Sequence, residues 1–167
     1  MRRYYDDLED AYYRQISINI NRGKYRYLGK GSGRIVYDMG NGRVIKAAKN
    51  IKGIAQNLEE YSISEVDDSG LFARVLNVSD DYRFLIMDKA ERIKDMSYVW
   101  KYFRVRSNKE LFQVNAIRDL FEKYDLMIWD FGRAVNWGLI HGIPMIIDYG
   151  FTRQVRSRYY NKTAHRW

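Results

Sequence analysis

Hydrophobic positions at the start of the chain recur at a helical interval. Four apolar residues stand four positions apart: Leu8, Tyr12, Ile16 and Ile20. Because positions i and i+4 share one face of a helix, this spacing predicts an amphipathic helix over residues 4–20. From Tyr25 onward, short runs of β-branched and aromatic residues replace the spacing, and such runs favour strands.

The next stretch predicts a sheet that is interrupted by one helix. Residues 54–66 have helical spacing, with Ile54, Leu58 and Tyr61 on one side. The sequence Gly40-Asn41-Gly42 is a hairpin signal between two of the strands. Five strands are predicted, at Tyr25–Leu28, Arg34–Met39, Arg43–Ala48, Ala73–Val78 and Tyr82–Met87.

The second half predicts mainly helices. Residues 95–105 and 108–124 have helical patterns, and a short hairpin is expected from Leu139–His141 to Met145–Ile147 across Gly142-Ile143-Pro144. A sheet with one helix followed by a helical part is an α+β arrangement.

Composition excludes several classes of protein. The 167 residues suit one domain, and there is no cysteine and only two histidines, His141 and His165. A disulfide framework, a thiolate metal site and a histidine-rich metal centre are therefore not expected. No apolar run approaches the roughly 20 residues that span a bilayer. We expect a cytoplasmic protein without a membrane partner.

The net charge of +8 is concentrated near the end of the chain. Residues 153–167 contain five Arg or Lys residues and no acid, which leaves 8 − 5 = +3 for residues 1–152. A solvated, partly disordered end is the simpler interpretation. The alternative is a contact for an acidic partner or for nucleic acid, helped by the interleaved Tyr159, Tyr160 and Trp167.

A glycine-rich segment lies between the first two predicted strands. It reads Gly29-Lys30-Gly31-Ser32-Gly33-Arg34, with Val36 in the second strand. Glycines allow a backbone to approach phosphates closely and to offer amide N–H groups to them. A plain hairpin turn would use glycines in the same way, so both interpretations stay open.

Charged residues in apolar surroundings follow this segment. Lys46 stands between apolar neighbours in the third strand, and a lysine on an inner strand face needs an anion, either phosphate or carboxylate. Glu59 and Glu60 lie on the following helix, and either one is a candidate partner for this ammonium. An exposed lysine and two surface glutamates are the simpler alternative.

Two further residues suit a magnesium ion. Asp148 ends an apolar strand and precedes Tyr149-Gly150, and Asn136 precedes the same hairpin. Mg²⁺ prefers one or two carboxylates together with phosphate and water oxygens, and an asparagine adds a neutral oxygen. A turn-capping role is the alternative for Asp148.

In this order, these residues resemble the protein-kinase-like superfamily. That family has Gly-x-Gly-x-x-Gly-x-Val, a strand lysine, a helix glutamate, a catalytic Asp and Asn, and then Asp-Phe-Gly. Arg34 replaces the third glycine of the pattern. The resemblance implies ATP and Mg²⁺ as cofactors, with Asp130 and Lys46 catalytic and Asn136 and Asp148 as metal ligands. It implies nucleotide contacts at Gly29, Lys30, Gly31, Ser32, Gly33, Arg34, Val36, Lys46, Glu60 or Glu59, Met87, Asp88 and Ala90.

The sequence Asp130-Phe131-Gly132 spells the family's metal motif, but it precedes Asn136 and follows no hairpin. Asp148-Tyr149-Gly150 follows the hairpin, as the family pattern requires. Asp130 instead matches the catalytic base, six residues before Asn136 where most kinases have five. Asp125 is the second choice for the base.

The resemblance also implies a domain plan. It comprises an N-terminal helical extension (1–24), a kinase-like lobe (25–90), a reduced helical lobe (91–152) and a basic tail (153–167). The chain also resembles small kinase-like proteins of bacteriophages, a likeness that would place the protein in the host cytoplasm. The implied function is a minimal Ser/Thr/Tyr protein kinase with a protein substrate. The alternatives are a catalytically silent kinase-like binding protein and a nucleic-acid-binding module.

Overall fold

The computed structural model describes residues 2–160, with side chains described from residue 9 onward. The chain divides into two compact units. Unit 1 comprises Met1–Asn57 and Val75–Lys89, and unit 2 comprises Leu58–Arg74 and Ala90–Trp167. The predicted α+β class and its five-stranded sheet are confirmed.

Unit 1 is built on an antiparallel sheet in the order β1-β2-β3-β5-β4. Glycines at positive φ, Gly40 (80°) and Gly42 (77°), form the predicted turn between the second and third strands. The predicted strands are all present, and their ends differ from the prediction by at most two residues: β1 Arg26–Lys30, β2 Arg34–Asp38, β3 Arg43–Ala48, β4 Val75–Val78 and β5 Phe84–Asp88.

Helix α1 (Arg2–Asn21) packs its buried face against this sheet. Tyr13 and Ile16 form a core cluster with Ile45 of β3 and Ile86 of β5. Tyr13, not the predicted Tyr12, is the inward tyrosine, because its ring stacks on Phe84 with centroids 6.0 Å apart. Tyr12 is 40% exposed. The side chain of Leu8, the first residue of the predicted stripe, lies outside the described residues.

Helix α2 (Ile51–Val66) buries a face that the apolar spacing did not indicate. Three of its buried residues are polar: Gln56, Asn57 and Glu60. Leu58, which the spacing placed inside, is 38% exposed. The helix orients its polar residues inward because they bond to backbone groups of other segments, as described below. The division between the two units falls within α2, after Asn57.

The helical part of unit 2 is more broken than predicted. The expected helix 108–124 is two helices, because Val114 adopts extended backbone angles (φ −66°, ψ 122°) between them. Ser107 caps the first by accepting a bond from the N–H of Glu110. The helices of unit 2 after α2 are α3 Ser97–Phe103, α4 Asn108–Leu111, α5 Asn115–Lys123 and α6 Arg153–Tyr159, with 3₁₀ turns at Ile128–Gly132 and Ala134–Asn136.

A second, three-stranded sheet has the order β6-β7-β8, with β6 Glu91–Arg92, β7 Trp137–Ile140 and β8 Ile143–Ile146. The predicted hairpin is present, but its turn is His141-Gly142, since both adopt positive φ (51° and 77°). Pro144, predicted to be in the turn, is inside β8 opposite Leu139. Because the turn has only two residues, strand pairing resumes at Ile143, and Pro144 therefore falls inside β8.

The first part of the predicted disordered tail is a helix. The hydroxyl of Thr152 caps α6 by accepting a bond from the N–H of Val155 at 3.2 Å, and Val155 is buried. This buried contact orders a segment whose composition alone suggested solvation. Residues 161–167 lie outside the described residues. None of the described helices combines the length and apolarity needed to cross a bilayer.

Candidate functional site

The glycine-rich loop of unit 1 is held by the segment that joins β3 to α2. The N–H of Lys49 donates to the carbonyl of Gly33 at 2.7 Å, and its Nζ donates to the carbonyl of Gly31 at 2.6 Å. Asn50 Nδ2 donates to the carbonyl of Ser32 at 3.2 Å. The three loop carbonyls are therefore bonded to protein groups, which fixes the course of the loop.

Packing explains only one of the three glycines of this loop, Gly29, Gly31 and Gly33. A Cβ on Gly33 would lie 2.7 Å from the N of Gly53 and 2.9 Å from Gln56 Oε1, so the loop and the first turn of α2 require glycine there. A Cβ on Gly29 or Gly31 would meet no atom of the described residues within 4 Å, and neither has a positive φ. Space beside these two residues is available for another molecule.

Two cationic side chains of the predicted site are buried in unit 1. Lys46 and Arg34 are each only 5% exposed. Lys46 is opposite Val36 in the β2–β3 pairing, and strand alternation places it on the sheet face opposite Ile45, whose face α1 covers. Buried ammonium and guanidinium groups require anionic or polar partners. The prediction that Lys46 is an inner lysine agrees with this burial.

Asn57 connects these residues, although it was not among the predicted site residues. Arg34 donates to Asn57 Oδ1 at 3.2 Å, and Asn57 Nδ2 donates to the carbonyls of Lys46 at 3.2 Å and Tyr82 at 2.8 Å. Arg34, predicted as an additional charge beside phosphates, is thus directed at α2. Polar residues at helical spacing, Asn57 and Glu60, were the available signal for this buried polar face.

Three of the predicted nucleotide contacts, Met87, Asp88 and Ala90, lie at the end of β5 or just after it. Met87 is 1% exposed, Asp88 is half-buried, and the N–H of Lys89 donates to the carbonyl of Gly42 at 2.9 Å. Ala90 begins the next segment of unit 2 and lies against Gly138, where an added Cβ would be 2.5 Å from that of Ala90.

Unit 2 contains three of the four predicted catalytic and metal-binding residues: Asp130, Asn136 and Asp148. Asn136 Nδ2 donates to the carbonyl of Asp130 at 2.8 Å, and the carbonyl of Asn136 accepts from the N–H of Ile147 at 2.8 Å. This second bond extends the β7–β8 hairpin by one pair. It places Asn136 beside the residue that precedes Asp148.

The negative charge of Asp148 acts on the carboxyl group of Asp130. Burial raises the pKa of Asp130, Arg133 opposes this rise, and the negative charge of Asp148 adds to it. Arg133 is 3.7 Å from the carboxylate of Asp130. Asp148 itself is exposed. Two carboxylates and one amide oxygen thus lie in one region, and one of the carboxylates has a raised proton affinity.

Glu60 holds the backbone of the Asp-Tyr-Gly turn. It is fully buried, and its Oε1 accepts bonds from the N–H groups of Tyr149 at 3.1 Å and Gly150 at 3.2 Å. The Tyr149 hydroxyl donates to the carbonyl of Ala73 at 2.8 Å. These bonds fix the segment that carries Asp148, a role of Glu60 that sequence reasoning did not identify.

The two candidate glutamates have different surroundings. Glu59 lines a groove of about 470 Å³ with Asp125, and burial, followed by the charge of Asp125, raises the pKa of Glu59. Asp125, the second choice for the base, is 3.6 Å from Arg153. Glu60, in contrast, bonds to the backbone of the Asp-Tyr-Gly turn.

Phe131 and Gly132, the last two residues of the Asp-Phe-Gly sequence, each have packing contacts that explain them. Phe131 is buried and lies edge-on to Phe121, with centroids 4.6 Å apart, and its carbonyl accepts from Trp137 Nε1 at 2.8 Å. A Cβ on Gly132 would be 2.8 Å from the side chain of Asn108. Packing therefore accounts for an apolar ring at 131 and favours a glycine at 132, whatever the role of Asp130.

A metal ion would have a small set of protein ligands here. Among the described residues, no group of three or more His, Asp or Glu side chains has an arrangement that could hold a metal ion. Mg²⁺ does not need such a group, because it is commonly held by one or two carboxylates together with phosphate and water oxygens. Asp148 and the Asn136 amide oxygen fit that chemistry.

No protein-family model matches this chain, and a search of the curated proteins found no match.

Proposed function

We propose that this chain is a protein-kinase-like phosphotransferase that uses ATP and Mg²⁺. The observation that carries the proposal is the arrangement in unit 2, where Asn136 is bonded both to Asp130 and to the residue before Asp148. These two hydrogen bonds bring together a base candidate and two metal-ligand candidates that are up to 18 positions apart in the sequence. The burial of Lys46 and the open space beside Gly29 and Gly31 support it further.

Each residue has a distinct role in this proposal. Asp148 and Asn136 bind Mg²⁺, which neutralises phosphate charge, and Lys46 binds phosphate oxygens. The backbone from Lys30 to Gly33 contacts the phosphates, and Met87, Asp88 and Ala90 contact the base. Glu60 keeps the segment of Asp148 in place through the N–H groups of Tyr149 and Gly150.

Asp130 acts as the general base. The hydroxyl oxygen of the acceptor attacks the γ-phosphorus, its proton moves to the Asp130 carboxylate, and ADP leaves. The raised pKa of Asp130, caused first by burial, makes it a stronger base than an exposed aspartate. The proposed acceptor is a Ser, Thr or Tyr hydroxyl of a protein, which includes this chain.

The roles are tested by separating binding from transfer. Asp130→Asn should leave Mg²⁺-dependent ATP binding intact and reduce phosphoryl transfer about 10²- to 10⁴-fold. Asp148→Asn should weaken ATP binding only when Mg²⁺ is present, and Lys46→Met should reduce transfer by about 10²-fold or more. Calorimetry with ATP and transfer of labelled phosphate measure the two properties.

Matched variants make the result specific. Asp119→Asn changes the same charge on an exposed position of α5 and should alter neither property. If the Asp130 and Asp148 phenotypes were exchanged, the metal would be held by the Asp-Phe-Gly sequence instead. ATP binding without transfer, unaffected by Asp130→Asn, would support a catalytically silent kinase-like binding protein.

A further inference from the structure

One surface of unit 2 combines exposed arginines with an exposed indole. Arg153 and Arg156 are one turn apart on α6, and both are exposed. Trp129, in the 3₁₀ turn Ile128–Gly132, is 56% exposed. The Arg156 guanidinium is 5.9 Å from the centroid of the Trp129 ring. We call Trp129, Arg153 and Arg156 the arginine–tryptophan face.

The fold holds this face in a fixed position. Thr152 pairs with Leu126 in a β-bridge and caps α6, while Val155 is buried on the opposite side of the helix. The N–H of Arg153 donates to the carbonyl of Asp125 at 3.0 Å. The arginines and the indole are therefore presented on anchored backbone, which reduces the entropy that a ligand would have to remove.

The helix that carries the two arginines of the face is positively charged. Residues 153–160 contain Arg153, Arg156 and Arg158 and no acidic residue. Three acids lie nearby: Asp125 is 3.6 Å from Arg153 of the face itself, Asp130 is 3.7 Å from Arg133, and Glu59 lines a groove with Asp125 and Thr152. Arg156 has no carboxylate among the ion pairs described for the chain, and the π-face of Trp129 is its nearby partner. An anionic ligand would be attracted to this face.

We propose that the arginine–tryptophan face binds single-stranded nucleic acid, with a base stacked on Trp129 and phosphates at Arg153 and Arg156. Single strands are bound by arginines that neutralise the backbone together with aromatic rings on which bases stack. An acidic peptide would use the arginines but would gain little from an exposed indole. This inference goes beyond the phosphotransferase proposal and does not depend on it.

The binding experiment measures fluorescence anisotropy of a labelled oligothymidylate across a series of salt concentrations. Trp129→Ala should weaken binding on the order of tenfold, because one base loses its stacking partner. Trp129→Phe should recover much of this loss, which separates stacking from a folding defect. Arg156→Gln should lower the slope of log K against log salt by about 0.7, the value for one phosphate contact on a single strand.

Controls decide between this ligand and others. Arg118→Gln removes the same charge from an exposed position of α5 and should change neither affinity nor slope by a comparable amount. Equal competition by polyglutamate would overturn the proposal in favour of an acidic protein segment. Absence of binding at low salt, or equal affinities of the Trp129→Ala and Arg118→Gln variants, would overturn it as well.

Discussion

At the scale of single residues, Asp130 shows how one carboxyl group acquires a special environment. Its backbone carbonyl accepts a bond from Asn136, while its side chain is half-buried between a positive group, Arg133, and a negative one, Asp148. The sequence indicated the residue type and its order relative to Asn136. It did not indicate the balance of charges, because Asp148 is distant along the chain and close only after folding.

This environment predicts the direction in which substitutions move the pKa of Asp130. Asp148→Asn removes a negative charge that disfavours the ionised carboxylate, so the pKa of Asp130 should fall. Arg133→Gln removes a positive charge and should raise that pKa. Titration of the carboxyl carbon by NMR measures both shifts. Shifts of the same sign in both variants would contradict the described arrangement.

The decline of the phosphoryl-transfer rate at acidic pH should follow the pKa of Asp130. A base must be unprotonated, so activity should decline as the pH falls through the pKa of Asp130, at a higher pH than for an ordinary aspartate. Arg133→Gln should move this decline to still higher pH. A pH–rate profile that is unchanged in Arg133→Gln would argue against Asp130 as the base.

At the scale of elements, α2 explains why apolar spacing was an incomplete guide. Its buried face contains Asn57 and Glu60, which bond to backbone groups of Lys46, Tyr82, Tyr149 and Gly150. Periodicity methods assign the inner face by hydrophobicity, and they place such a polar face outside. The length of the helix was predicted well because spacing and propensity do not depend on which face is inward.

The contact between Gly33 and Gly53 predicts different effects for two glycine substitutions. Gly53→Ala places a Cβ against the Gly33 carbonyl, and relieving this overlap should cost about 1–3 kcal/mol, more than the roughly 1 kcal/mol that alanine contributes to a helix. Gly31→Ala has open space and should change the free energy of unfolding very little. Denaturant unfolding of both variants measures the difference.

The two variants Gly31→Ala and Gly53→Ala also distinguish an effect on packing from an effect on ligand binding. If phosphates approach the backbone at residue 31, Gly31→Ala should weaken ATP binding while leaving stability unchanged. Equal stability losses in Gly31→Ala and Gly53→Ala would contradict the described loop. Unchanged ATP affinity in Gly31→Ala would remove the glycine-rich loop from the proposed site.

At the scale of the whole molecule, the sequence predicted the fold class and the succession of strands and helices along the first 90 residues, but not the smaller elements. β6 has two residues, and its pairing with β7 depends on a segment about 45 positions later, so no local pattern marks it. Helix α6 was missed because its single buried residue, Val155, is surrounded by arginines. Long, regular elements were predictable, whereas short ones depend on tertiary contacts.

The candidate site was likewise predictable only in part from the sequence. Asp130, Asn136 and Asp148 were selected from their order in the chain, and the structure brings these three together within unit 2. The roles of Asn57 and of Glu60 toward the Asp-Tyr-Gly turn arise from hydrogen bonds to backbone groups. Backbone groups are identical at every residue, so sequence cannot specify such partners.

The stability of the whole chain should depend on pH through Asp38. This buried carboxylate accepts bonds from Lys89 at 2.8 Å, from the N–H of Gly40 and from Arg26, and with the Lys89 bond as the largest cause its pKa is lowered from 3.8 to about 2. A lowered pKa means that the unfolded state binds the proton more tightly. The stabilisation is therefore complete above about pH 4 and is lost as the pH falls toward about 2.

Lys89→Met tests this linkage, because it removes the main reason for the lowered pKa. The variant should unfold at lower denaturant concentration at pH 7, and the free energy of unfolding should fall less steeply between about pH 4 and pH 2 than in the parent chain. Lys24→Met removes a similar charge from an exposed position of the same unit and should preserve the parent's slope. Urea titrations at a series of pH values give the slopes. Parallel curves for the parent and Lys89→Met would show that the bond between Lys89 and Asp38 does not contribute to the stability of the folded chain.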